Sequence, residues 1–488
     1  MKTNRIALPA FLASVISIVL FSTAHAQFPE DALRYSSTGI GIGARAIGMG
    51  GAYIGVADDY SATFWNPAGL AQMRRLEFTG GLANTSYSND ASFFGNSATA
   101  TNSATTLNDL GFVFPFPTDR GSLVVSAGYN RTNDFTSALS FDGFNNQSSI
   151  LPYLFDPDVR YDIPYGVGLE DVNEHINVTK NVNQQGDVRE SGGMGNWAFA
   201  GAIDVQKDLS FGLTVNVLSG SYTYTRNYTE ADTKNLYSDP RPVVPIDSAY
   251  LKFNNFYYNS TLTSDVSGVN AKFGMMYRFE DVARIGVTIQ TPTTISVHEN
   301  YSDEGWSTFD DGYIPVDSGG TVYNHLAYDA YNDYSVETPW VFGAGASYSP
   351  FDGLLLSGAL EYTDWTQIQW ADNSDLEQEN IALKKNFRAT TNYSVGGEFE
   401  IPKTELRVRA GYAYKPSPFA GDPSSYAQKT VTAGLGVLLQ DDVMFDLAAA
   451  FGSTKAYDNN YGPAASNLSR TDESISTTNV YFTISYRF

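Results

Sequence analysis

Hydrophobic and polar side chains alternate at every second position in run after run of this chain. Fourteen such runs can be counted between Arg74 and Phe488, their apolar faces starting at Leu76, Leu110, Leu123, Trp197, Leu209, Val269, Ile285, Phe342, Leu354, Tyr393, Leu406, Val431, Val443 and Val480. Period-two alternation bounded by turn residues predicts β-strands with one face apolar and the other polar. The last run is the cleanest. Val480, Phe482, Ile484, Tyr486 and Phe488 share one face, while Asn479, Tyr481, Thr483, Ser485 and Arg487 share the other. An apolar outer face, an inward arginine and a terminal aromatic residue fit a strand that crosses a membrane in a closed barrel. An even count of strands meets the closure rule for bacterial barrels. The predicted fold is therefore all-β, a 14-stranded antiparallel transmembrane barrel.

The connections divide by length. Short ones fall at Pro117–Gly121, Gln206–Asp208, Glu280–Val282, Pro350–Gly353, Pro402–Thr404 and Asp441–Asp442. Long ones cover roughly 139–191, 230–254 and 300–335. Short turns on the periplasmic side and long loops outside place both termini in the periplasm. The chain also starts with export chemistry: Lys2 and Arg5, an apolar run from Ile6 to Phe21, and Ala24-His25-Ala26. Residues 1–26 read as a signal peptide, 27–73 as a separate N-terminal segment, and 74–488 as the barrel.

Composition sharpens this picture by exclusion. No cysteine is present among 488 residues, so neither disulfides nor thiolate metal sites can be built. A net charge of −23 argues against a nucleic-acid partner. No Ser-His-Asp order stands out, and the three histidines beyond the signal region, His175, His298 and His325, fall in or next to long loops. Neither enzyme chemistry nor a cofactor or metal is expected. Asp310, Asp311, Asp329 and Asp333 fit no calcium-loop spacing.

The inward face of the predicted strands carries Asp204, Asn216, Lys272, Arg278, Arg284, Glu361, Glu398, Arg407, Arg409 and Asp446. Mixed charges across a lumen make ion-pair ladders, yet fourteen strands enclose more space than inward side chains fill. The segment preceding the first strand is the candidate filler. It is dense in Gly and Ala over Gly39–Ala71, does not alternate, and its Gly41-Ile42-Gly43-Ala44-Arg45-Ala46 lacks the βαβ setting of a nucleotide site. Its predicted role is a hatch, a plug in the lumen, that occludes the barrel in place of loop packing. Gly43, Gly48, Gly50, Asp58, Asp59, Asn66, Pro67 and Ala68 are its marked positions. Asp58, Asp59 and Asn66 are expected to anchor it by hydrogen bonds to the wall, because buried carboxylates need donors.

Three stretches resemble a known family. The VADD at Val56–Asp59 with the NPAGLA at Asn66–Ala71, LEYTDWTQ at Leu360–Gln367 and LRVRAGYAYKPSPF at Leu406–Phe419 look like the FadL-type outer-membrane transporters of long-chain fatty acids and other hydrophobic compounds. The resemblance implies passive uptake of a hydrophobic small molecule: capture on apolar loops, hatch movement, and lateral exit through the wall where the third strand kinks. Outer-membrane lipid and, during biogenesis, the barrel-assembly machinery are the implied partners. Phe155, Phe256 and Tyr257 are candidates for the capture surface, with loop-on-loop packing the competing role. Gly128, Asn130 and Arg131 mark the lateral opening, since a strand-interior glycine followed by polar residues weakens a ladder. Arg407 and Arg409, two residues apart on one inward face, are candidates for a cargo carboxylate unless Glu361 and Glu398 neutralise them. The alternative function is that of the PorV-type barrels, which bind secreted proteins within a secretion system.

Overall fold

In the computed structural model the chain is described over residues 29–155, 162–170, 175–176, 178–237, 242–243, 249–250, 252–280, 282–310, 324–371, 377–461 and 468–488. The predicted signal peptide and Asp311 lie outside these residues. All fourteen predicted runs are strands, and every neighbouring pair is antiparallel. In chain order the wall consists of β1 (Glu77–Phe93), β2 (Asn96–Phe116), β3 (Leu123–Asp134) continued by β4 (Ser137–Asn145), β5 (Val182–Gln206), β6 (Leu209–Ala231) and β7 (Phe253–Phe279). It goes on through β8 (Ala283–Gln290) continued by β9 (Thr294–Phe309), β10 (His325–Glu337) leading into β11 (Val341–Phe351), then β12 (Leu354–Asp364) and β13 (Ala389–Glu400). β14 (Leu406–Lys415), β15 (Gln428–Leu439), β16 (Val443–Asn459) and β17 (Arg470–Arg487) complete it. Closure comes from β1 pairing with β17, in register from Glu77 opposite Arg487 to Ser92 opposite Asp472.

The alternation seen in the sequence is the lipid-facing belt. Phe78, Phe112, Phe199, Phe211, Phe273, Ile285, Phe342, Leu356, Val395, Leu435, Leu447 and Phe482 all stand exposed on the outer face. Each lies on the part of its strand nearest a short turn, so the belt girdles the short-turn end of the barrel. Strands then continue far beyond it: β5 has 25 residues and β7 has 27, against the roughly ten that a bilayer requires. Parts of the predicted long loops are thus wall. Most of β4, the start of β5, and most of β9 and β10 fall within the first and third of them, and His298 and His325 sit on strands, paired with Asp333 and Glu304. At the far end β1 and β2 meet in a two-residue turn, Phe94-Gly95, with both φ angles left-handed at 45° and 87°. This geometry matches the twist of a hairpin and is why glycine occupies the second position.

Among the described residues, two interruptions of the wall matter here. Pro292 and Pro339 lie opposite each other between β8 and β9 and between β10 and β11, where the missing N–H groups interrupt the ladder. The second break falls at Phe135 and Thr136, between β3 and β4.

Candidate functional site

The N-terminal segment folds into the lumen as three short helices, α1 (Pro29–Ser36), α2 (Ala44–Gly48) and α3 (Ala62–Trp65), followed by a 3-10 turn at Pro67–Gln72. Ile42, Ile47, Met49, Tyr53 and Leu70 are wholly buried, as is Asn66. A packed segment of irregular backbone must find partners for its N–H and C=O groups, and the wall provides them. The amides of Gly43, Ala44 and Tyr60 donate to Asn108 Oδ1 at 3.1 Å, Thr483 Oγ1 at 3.0 Å and Glu77 Oε1 at 2.9 Å. The carbonyls of Gly48, Gly55 and Thr63 accept from Thr432, Ser347 and Thr214 at 3.0, 2.8 and 2.9 Å.

Of the predicted anchors, Asn66 bonds both the segment and the wall. Its amide donates to Ile54 O at 2.9 Å within the segment and to Met275 O on β7 at 3.2 Å. Asp58 reaches Arg284 on the wall at 3.4 Å, and its shortest bond is to Arg45 of the segment itself. Burial alone would raise the Asp58 carboxyl, but Arg45 and Arg284 outweigh it and hold the group well below the ordinary range. Asp59 differs from expectation: it accepts from Tyr53 Oη at 2.6 Å and from the Ser61 amide at 2.9 Å, so it braces the segment internally. The strongest link to the wall went unnoticed in the sequence. Arg45 donates through two nitrogens to Glu398 on β13, both at 2.9 Å.

Arg409 completes the same network, so of the two roles left open for it the structure shows neutralisation by Glu398 and not a carboxylate receptor. Its guanidinium donates to Glu398 and to Asp446, each at 2.6 Å, and its side chain is fully buried. Gly436 makes the span possible, since a Cβ there would fall 2.6 Å from both Arg409 Nη2 and Asp446 Oδ1. Arg407 pairs with Glu400 near a short turn. Arg409 is closed off by its burial, and Arg407 is already paired.

Glycines set the fit of plug to wall. Inward-facing Gly212, Gly274, Gly286, Gly345, Gly396 and Gly411 each stand where a Cβ would collide with backbone of the N-terminal segment, at 2.1 to 3.0 Å. Parity along each strand identifies them as inward, a signal present in the sequence. At Gly212 a Cβ would lie 2.3 Å from the Pro67 carbonyl carbon and 2.4 Å from the Ala68 amide. Gly212→Ala is expected to leave the barrel folded, as judged by heat-modifiable migration, while costing the docked segment about 1–3 kcal/mol. Limited proteolysis checks this, and cleavage unchanged from the parent would rule the close fit out.

Two of the three marked positions on β3 meet the plug. Asn130 Nδ2 donates to Thr63 Oγ1 at 3.0 Å, and a Cβ on Gly128 would lie 2.2 Å from the Tyr60 hydroxyl. Arg131 holds Asp134 at 3.2 Å and Gly192 O at 2.7 Å. The β2–β3 ladder ends at Asp109 opposite Asn130, and β3 slips register against β5 between Arg131 and Asn133. Above this point side chains span the gap: Asn102 donates to Ser137 O and Asn96 to Asp142 O, both at 3.0 Å. The linker after α1 lies against the break, with Gly39 N donating to Thr132 O at 2.8 Å and Asn133 Nδ2 to Ser37 O at 3.1 Å.

The far end of the lumen is closed as well. Phe93, Phe141, Leu151, Ile163, Val167, Leu169, Phe253, Phe256 and Phe309 form one buried cluster. Phe256 is therefore core and not capture surface, Phe155 is half-buried, and Tyr257 stacks on Trp306 at 4.9 Å. Loop packing closes this end while the N-terminal segment fills the belt-level lumen, so occlusion is shared between them.

Residues 164–488 match the family described as outer membrane protein transport protein (OMPP1/FadL/TodX). The fold is similar to the Pseudomonas putida toluene transporter TodX, at 14% identity over 92% of this chain and 99% of that one, with a TM-score of 0.56. It is also similar to a Pseudomonas aeruginosa FadL homologue, at 14% identity, 92% and 99% coverage and a TM-score of 0.54. A monoaromatic hydrocarbon channel, CymD, aligns at 14% identity over 92% and 98% of the chains with a TM-score of 0.50. No curated protein matches the chain by sequence.

Proposed function

The chain belongs to the OMPP1/FadL/TodX family of outer-membrane transport proteins, which carry hydrophobic compounds, and from that premise we propose a route and a cargo class. The cargo is a hydrophobic small molecule, of which long-chain fatty acids are one class and aromatic hydrocarbons of the kind named for TodX and CymD another. It enters at the long-loop end, passes the apolar cluster there, displaces the N-terminal segment from β3 and leaves sideways between β2 and the β3–β4 break. The short-turn end faces the periplasm, and residues 1–26 are removed on export.

The observation that carries this reading is the interrupted ladder. With the belt-level lumen filled by the N-terminal segment, cargo from the long-loop end needs another exit, and the ladder parts at Asp109 and Asn130, at the edge of the apolar belt, where hydrocarbon leaving sideways meets the bilayer. Beyond Asp109 and Asn130 only side-chain amides join β2 to β4 among the described residues, so opening breaks no backbone ladder there.

The absence of native cysteine permits a direct test. Asn102→Cys with Ser137→Cys, joined by a short thiol crosslinker, is expected to abolish uptake of radiolabelled cargo into cells while leaving its binding to purified protein intact. Cleaving the crosslink should restore uptake. Full uptake by crosslinked protein would exclude the lateral route.

A further inference from the structure

Between its two closures the lumen holds a chamber. Inward side chains are buried along the N-terminal segment and buried again at the far apolar cluster, whereas those between stand partly exposed: Tyr87 on β1, Asn102 on β2, Glu190 on β5, Arg226 on β6, Asp458 on β16 and Glu473 on β17. On β17, Asn479 and Tyr481 are buried below and Thr471 above, and Glu473, Ile475 and Thr477 between them are partly exposed. α1 reaches the same space, since Arg34 lies 3.6 Å from Glu190 and Glu30 stands exposed in the field of Asp458. The chamber borders the proposed route. Asn102 is the residue whose amide donates to Ser137 O across the gap, and the Ser137 hydroxyl donates to Glu190 at 2.6 Å.

Acids outweigh bases here. Glu30, Glu190, Asp458 and Glu473 feel one another: Asp458 acts on Glu30 and Glu473, and Glu190 acts on Asp458 and Glu473. Arg34 is shared between Asp31 and Glu190. Arg226 has no carboxylate at ion-pair distance among the described residues; it lies over the Tyr228 ring at 4.6 Å, with Nε and Nη2 buried and without a hydrogen-bond partner. Those two nitrogens are closed to a cargo head. Burial, with Asp31 and Asp458 beside it, pushes the Glu30 carboxyl above its ordinary range despite Arg34. A cargo carboxylate arriving there meets the same opposition, whereas an uncharged chain meets the rings of Tyr87 and Tyr224 and the Ile475 side chain.

We propose that Glu30, Glu190, Asp458 and Glu473 form a charge filter on the route, which turns back cargo with an anionic head and passes uncharged hydrocarbons and alcohols. This rests on the hydrophobic-cargo reading above and narrows it to cargo without negative charge.

The test follows uptake of radiolabelled decanol, decanoate and decylammonium into cells making the full chain, corrected for cells lacking it. Two unit charges about 10 Å apart at an effective dielectric of about 20 shift an equilibrium roughly tenfold. Decanol and decylammonium are therefore expected to enter at least about tenfold faster than decanoate. Glu30→Gln with Asp458→Asn and Glu473→Gln should raise decanoate entry about tenfold and leave decanol unchanged. Glu30→Lys should also favour decanoate, and because it lies on α1 and leaves the wall intact, the test stands even where the triple variant fails to fold. Asp90→Asn, on the outward face of β1, controls for general surface charge and should change nothing. Heat-modifiable migration confirms that each variant folds. Equal entry of decanol and decanoate in the parent, a preference unchanged in Glu30→Lys, or an equal gain from Asp90→Asn would overturn the filter. No protein-dependent uptake of any probe would instead overturn the hydrophobic-cargo reading on which it rests.

Discussion

A chain lacking residues 39–71 is expected to conduct poorly in planar bilayers, and one lacking residues 149–178 as well to form an open pore, with conductance at least about tenfold higher. The lumen has two closures in series. The N-terminal segment fills the belt level, with its backbone seated against inward glycines and its N–H and C=O groups bonded to wall side chains. The far end is closed by the cluster built around Leu151, Ile163, Val167 and Leu169, all within the second deletion. Current through two resistances in series is set by the larger, so removing one closure gains little. Heat-modifiable migration verifies that the shortened chains still form barrels. A wide pore from the first deletion alone would show that the apolar cluster leaks and that the N-terminal segment is the whole barrier.

The fourteen strands were legible because lipid imposes a rule on every one of them. An outward position in the bilayer must be apolar, and the lumenal positions between are not so constrained, hence the period of two. Past the belt, water lies on both faces and the rule lapses. The stretch Asn96–Thr106 of β2 is almost entirely Ser, Thr, Asn and Ala, and nothing in its pattern distinguishes strand from loop. This is why β4, β9 and β10 were expected to be loop.

The N-terminal segment was legible as a filler from its density of small residues, while its contacts were not. They join positions hundreds of residues apart, as Arg45 and Glu398 do. The two roles of Arg409 stayed open in the sequence for a simpler reason. Glu398 stands directly opposite it in the β13–β14 register, and Gly436 clears the way to Asp446 one strand further. The residues were in view, but strand register is set by pairing and does not follow from the alternation of either strand alone.

Arg45→Ala is expected to loosen the N-terminal segment more than any other single substitution within it. The guanidinium holds Glu398 through two bonds and also takes Asp58, with only 13% of its side chain exposed. Its removal leaves Glu398, Asp446 and Asp58 to share Arg409 and Arg284. Taking one partner from a buried ion pair costs about 3–5 kcal/mol, because the remaining charge keeps its desolvation penalty. At about 1.4 kcal/mol per decade, the undocked population should rise at least a hundredfold. Amide hydrogen exchange over residues 44–66 reads this directly. Asp59→Ala supplies the contrast: its bonds stay within the segment, so it should speed local exchange around Tyr53 and Ser61 without undocking the rest. Adding Glu398→Gln to Arg45→Met should recover much of the loss, since a neutral amide no longer demands a cation yet still accepts from Arg409. Exchange in Arg45→Ala equal to the parent would mean that the inward glycines and the wall hydroxyls hold the segment without the charge network.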